Sequence, residues 1–96
     1  MTVRLEDFKP HVGKIFRFKG TPYAFPLDRI ESNRRRLPKN VKRRPFTLIF
    51  RGPKEAHHLP EGLYDCEVEG GATHSIYVIP IATFDPQAQE YQAVFN

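Results

Sequence analysis

A single cysteine excludes an intramolecular disulfide framework and any zinc knuckle built from several thiolates. No apolar run approaches membrane-spanning length, and the opening Met-Thr-Val-Arg-Leu-Glu-Asp-Phe lacks the apolar stretch of a secretory signal. A soluble, cytoplasmic protein with no membrane partner is therefore expected. The six glycines are dispersed at turns, so no glycine-rich loop exists to cradle a phosphate. Serine-elbow and metalloprotease-helix signatures are missing as well. Material for a core is not scarce. Hydrophobic residues make up 40% of the chain and aromatics 12%, against 27% charged, which argues against intrinsic disorder. The 96 residues form one domain, 1–96, with no room for a second core.

Negative charge is nearly absent from one stretch. Between Arg29 and Arg44 lie Arg29, Arg34, Arg35, Arg36, Lys39, Lys42, Arg43 and Arg44, opposed only by Glu31, which makes this window +7. The whole chain is +4, so the remainder is −3. The pattern reads as a basic loop, 29–44, mounted on a mildly acidic body. With Arg51, these residues are the candidate anion or partner site, because guanidinium groups pair bidentately with phosphate and carboxylate. A solvated connection, kept extended by like charges, explains the same run without a ligand. No aromatic residue lies between Phe25 and Phe46, so the stacking platform of a single-strand binder is missing. Nucleic-acid binding through this loop would be electrostatic, salt-sensitive and weakly sequence-dependent.

The rest of the chain alternates. Leu5, Phe8 and Val12 share a helical face, but Pro10 interrupts it, so a short helical turn is predicted over Val3–Lys9 with Thr2 as its cap and Phe8 as its anchor. Strands are predicted at 14–19, 23–31, 45–51, 62–69, 74–81 and 91–95. In the second, Ile30 is out of phase with Phe25 and Leu27, which a bulge near Asp28 repairs, while Pro26 suggests an edge. The third is apolar on both faces, as a central strand would be, and Gly52-Pro53 is expected to end it. The expected fold is all-β: a six-stranded antiparallel small barrel, or a strongly curled sandwich, with a short N-terminal helical turn.

Candidates for chemistry are few. His57 and His58, near Glu55, form the most suggestive metal cluster if Cys66 and His74 approach, but no structural zinc spacing is present. A polar loop accounts for the histidines more simply. Cys66, on an inward-facing position, reads as a small hydrophobe. Asp65, Glu67 and Glu69 alternate on one solvated face rather than across a pocket. Arg51, leaving a strand at Gly-Pro, either binds an anion or has a structural role. No enzyme, metal or cofactor is expected.

Several blocks resemble an uncharacterised bacterial domain-of-unknown-function family of about 100 residues. They are Leu5-Glu6-Asp7-Phe8-Lys9-Pro10-His11-Val12-Gly13 with Phe16, Pro45 through Pro53, Leu59 through Tyr64, Val78-Ile79-Pro80, and Tyr91 through Asn96. The basic Arg29–Arg44 window departs from the family pattern. Such proteins look like companions of phage-tail-like collar or tail-fibre proteins, which implies a structural or assembly role and supplies no catalytic residue. The expected function is thus a non-enzymatic interaction module with a protein partner, one using the basic loop plus Arg17, Arg51 and Lys54. The alternative is a nucleic-acid- or phosphate-binding small barrel gripping phosphates through the same loop.

Overall fold

The computed structural model describes residues 4–32 and 45–95. The Thr2 cap and Arg34, Arg35, Arg36, Lys39, Lys42, Arg43 and Arg44 lie outside the described residues.

Period-two side-chain placement decides which residues enter the core. Burial alternates along β1 (Ile15–Phe18), where Phe16 and Phe18 point in. In β4 (Gly62–Val68), Cys66 and Val68 do the same. The remaining strands are β2 (Ala24–Ser32), β3 (Phe46–Pro53), β5 (Thr73–Ile81) and β6 (Ala88–Phe95). All pairings are antiparallel, in the order β1-β2-β3-β6-β5-β4, and β4 returns to β1 through Phe16↔Val68 and Phe18↔Cys66. That last pairing closes a barrel and removes both sheet edges, which decides against the curled sandwich.

The bulge expected near Asp28 is present. Leu27 pairs with Phe50 and Arg29 with Ile49, so Asp28 is the extra residue, and Leu27 and Ile30 both pack against the core. Two expectations need correction. Pro26 does not mark an edge strand: β2 has neighbours on both sides. Pro26 faces Ile15 of β1, while the β2–β3 ladder begins only at Leu27, so the missing N–H falls beyond that ladder. Gly52-Pro53 does end β3, but as its last two paired residues and not as a break after Arg51. The two residues pair with Gln89 and Ala88, and β6 accordingly starts at Ala88 rather than Tyr91. Gly52 serves close approach, since a Cβ there would meet the Phe25 ring at 2.5 Å.

The expected helical turn is resolved into two 3-10 turns, Leu5–Asp7 and Lys9–His11, with Pro10 accommodated near the start of the second. Arg4 N–H donates to Asp7 Oδ2 at 2.9 Å, and Gly13, at φ 91, turns the chain into β1. Phe8 lies between the turns, fully buried, with ring centroids 4.9 Å from His74, 5.6 Å from Phe95 and 6.0 Å from Phe46. It plugs the barrel end where Phe46 pairs with Phe95. Leu59 plugs the other end: it is fully buried and its N–H donates to the Tyr91 hydroxyl at 3.1 Å. Tyr91 stacks on Phe25 at 4.8 Å.

His11 stands beside the Phe8 plug with Nδ1 buried and without a hydrogen-bond partner. Burial, then the charges of Lys14 and His74, lower its pKa. The unfolded chain therefore takes up this proton more readily than the folded one. Stability should be undiminished above the ordinary histidine value of about 6.5 and decline as pH falls toward the lowered folded value. Melting temperatures measured between about pH 7.5 and 5.5 should fall less steeply for His11→Leu than for the parent. Equal slopes would show that His11 does not carry this linkage.

Candidate functional site

The bulge at Asp28 turns Arg29 outward, onto the wall that also carries Arg51 of β3 and Glu90 of β6. Register places Arg51 opposite Glu90, with Arg29 opposite the intervening Ile49. Glu90 is buried at 4% exposure, and two guanidinium groups converge on it. Arg29 binds it through both terminal nitrogens, at 3.1 and 3.3 Å, while Arg51 Nη1 donates to Oε2 at 2.8 Å. Arg29 also pairs with Asp28 at 2.8 Å and Glu31 at 3.0 Å, and Arg51 with Asp85 at 2.6 Å. The Arg29 hydrogen bonds hold the Glu90 carboxyl below the usual carboxylate range, with help from Arg51 and against the opposing effect of burial. Hydrogen bonds to Glu90 and Asp28 raise the Arg29 pKa.

Two of the nine sequence-nominated cations, Arg29 and Arg51, are thereby brought together and bound to protein carboxylates. Two guanidiniums face four carboxylates, so this wall has no surplus positive charge to offer an anion. Arg29–Ser32 also belong to β2, so the basic loop read as 29–44 begins later than its charge pattern suggests. The other seven candidates lie outside the described residues. Ser32 and Phe46, which flank them, pair with each other at the Phe8-plugged end. Arg17 pairs with Glu67 at 2.7 Å on the exposed surface, and Lys54 Nζ lies 3.3 Å from Gln89 Oε1. Asp28 and Glu31 are visible as acidic neighbours of Arg29 in the sequence. Glu90 and Asp85 are not, being 61 and 34 residues from the arginines they bind.

The structure brings only some of the candidate reactive side chains together. The β4–β5 hairpin does pair Cys66 with His74, but His57 and His58 are exposed in the connection that follows β3. Among the described residues no group of three or more His, Cys, Asp or Glu side chains is positioned to hold a metal ion. Burial, with a smaller contribution from Asp65, pushes the Cys66 thiol up to about 12. The folded protein should resist iodoacetamide at pH 8 over hours and react at Cys66 within minutes once unfolded in urea. Rapid labelling of the native protein would contradict a buried thiol.

Among the described residues no helix is long and apolar enough to cross a membrane. A closed six-stranded antiparallel barrel, filled by aromatic and aliphatic side chains and plugged at both ends, defines the class as a small all-β barrel domain. The chain belongs to the DUF6916 family, described as a domain of unknown function, whose model matches residues 3–95. No match was found among curated proteins or among solved structures.

Proposed function

We propose that this protein is a non-enzymatic interaction module in which the barrel is a rigid base and the 33–44 segment engages an acidic surface on a protein partner. The partition of charge carries this reading. Residues 33–44 contain seven Lys and Arg and no acidic residue, whereas the rest of the chain is −3. The barrel-wall arginines Arg29 and Arg51 are neutralised by Glu90, Asp85, Asp28 and Glu31, which leaves the positive formal charge to that segment. A cationic segment draws acidic partners. The buried, high-pKa Cys66 thiol supports the non-enzymatic part of the reading. The sequence resemblance supports a bacterial, phage-tail-like structural protein as the partner, with a role in assembly.

Nucleic acid is the second reading, favoured by the same seven cations. The absence of aromatic residues between Phe25 and Phe46 directs it toward backbone contact with duplexes rather than base stacking. Both readings are tested by comparing the full chain with an Arg34→Ala/Arg35→Ala/Arg36→Ala variant. Partner binding predicts a complex of defined stoichiometry with an acidic protein, purified from the native source and weakened in the variant. Duplex or single-stranded nucleic acid should then not be retained at low salt. Retention of nucleic acid, with affinity falling on a log-log salt plot and a shallower slope in the variant, would replace the first reading by the second. Absence of both complexes would dismiss the cationic segment as a binding element.

A further inference from the structure

All 15 Lys and Arg residues lie within residues 1–54, whereas residues 55–96 carry no Lys or Arg and hold seven of the 11 Asp and Glu. Strand order keeps these two halves apart. β1, β2 and β3 are contiguous in the barrel, and so are β6, β5 and β4, so the cation-free half of the chain builds one continuous side. Cations stand at its two borders. Along the β1–β4 border Arg17 is bound to Glu67, and Lys19 N–H donates to Asp65 O at 2.9 Å. Along the β3–β6 border Arg51 is bound to Glu90 and Asp85.

The middle of this acidic side is apolar and exposed. Leu63 of β4 pairs in register with Tyr77 of β5. Tyr77 and Val94 of β6 each lie two residues beyond the Ile79↔Gln92 pair, and both point outward. The three side chains form a stripe across three strands, exposed at 66, 49 and 50%. Carboxylates border it. Asp65, two residues along β4 from Leu63, is exposed, and Glu61 accepts a hydrogen bond from the Tyr77 hydroxyl. An apolar centre with a charged rim matches the anatomy of a protein interface. The sign of this rim selects a cationic occupant with aliphatic side chains among its charges.

Building on the proposed role of residues 33–44 as a binder of acidic protein surface, we propose that the surface they engage is this side of a second copy of the chain. Their composition is the one the stripe selects: Leu37 and Val41 stand among seven Lys and Arg. The two aliphatic residues supply apolar contact to Leu63, Tyr77 and Val94, while the cations meet Asp65 and Glu61. The contact joins unlike surfaces. Two copies meeting acidic side to acidic side about a two-fold axis would oppose like charges, and a segment-to-strand contact avoids this.

Sedimentation equilibrium of the full chain at low salt, from micromolar to millimolar concentration, tests it with two variants. Leu63→Lys/Asp65→Lys reverses the charge of the acidic side, and Arg34→Glu/Arg35→Glu/Arg36→Glu reverses that of the segment. The parent should self-associate reversibly, and less so as salt screens the contact. Each variant alone should raise the dissociation constant by about 10-fold or more. An equimolar mixture of the two should associate again, because each then meets its opposite charge in the other, which a contact within one chain could not do. The diluted Leu63→Lys/Asp65→Lys variant should melt close to the parent, since both positions are exposed. A parent that stays monomeric throughout the range overturns the second copy as occupant, while the complex with an acidic protein from the native source separately decides the role of residues 33–44. Association that survives either variant, or that the mixture fails to restore, overturns the proposal too.

Discussion

Phe50→Ala is expected to lower the unfolding free energy by about 3–5 kcal/mol. Phe50 is fully buried and meets Phe16 and Phe18 edge-on, with centroids 5.2 and 5.4 Å away. It also pairs in register with Leu27 and Tyr91, so its ring touches material from three strands besides its own. Removing it costs the transfer energy of the ring and leaves a void that two plugged barrel ends cannot easily collapse. A domain of this length has a total stability of about 5–14 kcal/mol, so this one change should consume a large share of it. The melting temperature should drop by at least about 12 °C, read by thermal denaturation. Leu63→Ala, at a position 66% exposed, should stay within about 0.5 kcal/mol of the parent. Equal losses for both would mean that the ring does not carry the core.

The double variant Arg29→Met/Arg51→Met should lose about 3–5 kcal/mol at neutral pH, because it strands the Glu90 carboxylate in the wall with both cations gone. Either single variant should lose less, since one guanidinium still reaches Glu90. The pH dependence separates this account from simple loss of packing. In the parent, the Glu90 carboxyl lies below its ordinary value, so its pairing stabilises fully above the unfolded value of about 4.3 and is lost as pH falls through the folded one. In the double variant only burial remains, which raises the folded value. Its penalty is complete above that raised value and is relieved as pH falls through it. The gap in stability between parent and double variant should therefore narrow on acidification, measured by urea unfolding at about pH 7 and pH 4.5. Adding Glu90→Gln should recover much of the loss at neutral pH. A gap that is constant with pH would show that Glu90 is not the group stranded.

Much of this architecture is legible locally. Phe16 and Phe18, and Cys66 and Val68, fall two residues apart and point to one face, so β1 and β4 can be read from alternation. The out-of-phase Ile30 discloses the bulge at Asp28, because an odd spacing between inward residues requires one extra residue. Phe8 is recognisable as an anchor from its spacing to Leu5, although the tight 3-10 form of its two turns is not. Gly52 misleads for a physical reason. Glycine and proline together ordinarily mark a break, whereas here the missing Cβ makes room for Phe25, a residue on another strand. The pairing of Arg29 and Arg51 is equally hidden, since Glu90 meets them only through the β2–β3 and β3–β6 registers.

What the sequence by itself determined is therefore the set of strands, the face each residue takes and the gathering of positive charge between β2 and β3. Those follow from side-chain direction and composition, which are properties of neighbouring residues. Tertiary structure alone decided that β4 returns to β1, that Leu59 and Phe8 close opposite ends, and that Glu90 neutralises two wall arginines. Each of these depends on which distant segments meet, and a contact between residues far apart along the chain leaves no period in the chain itself.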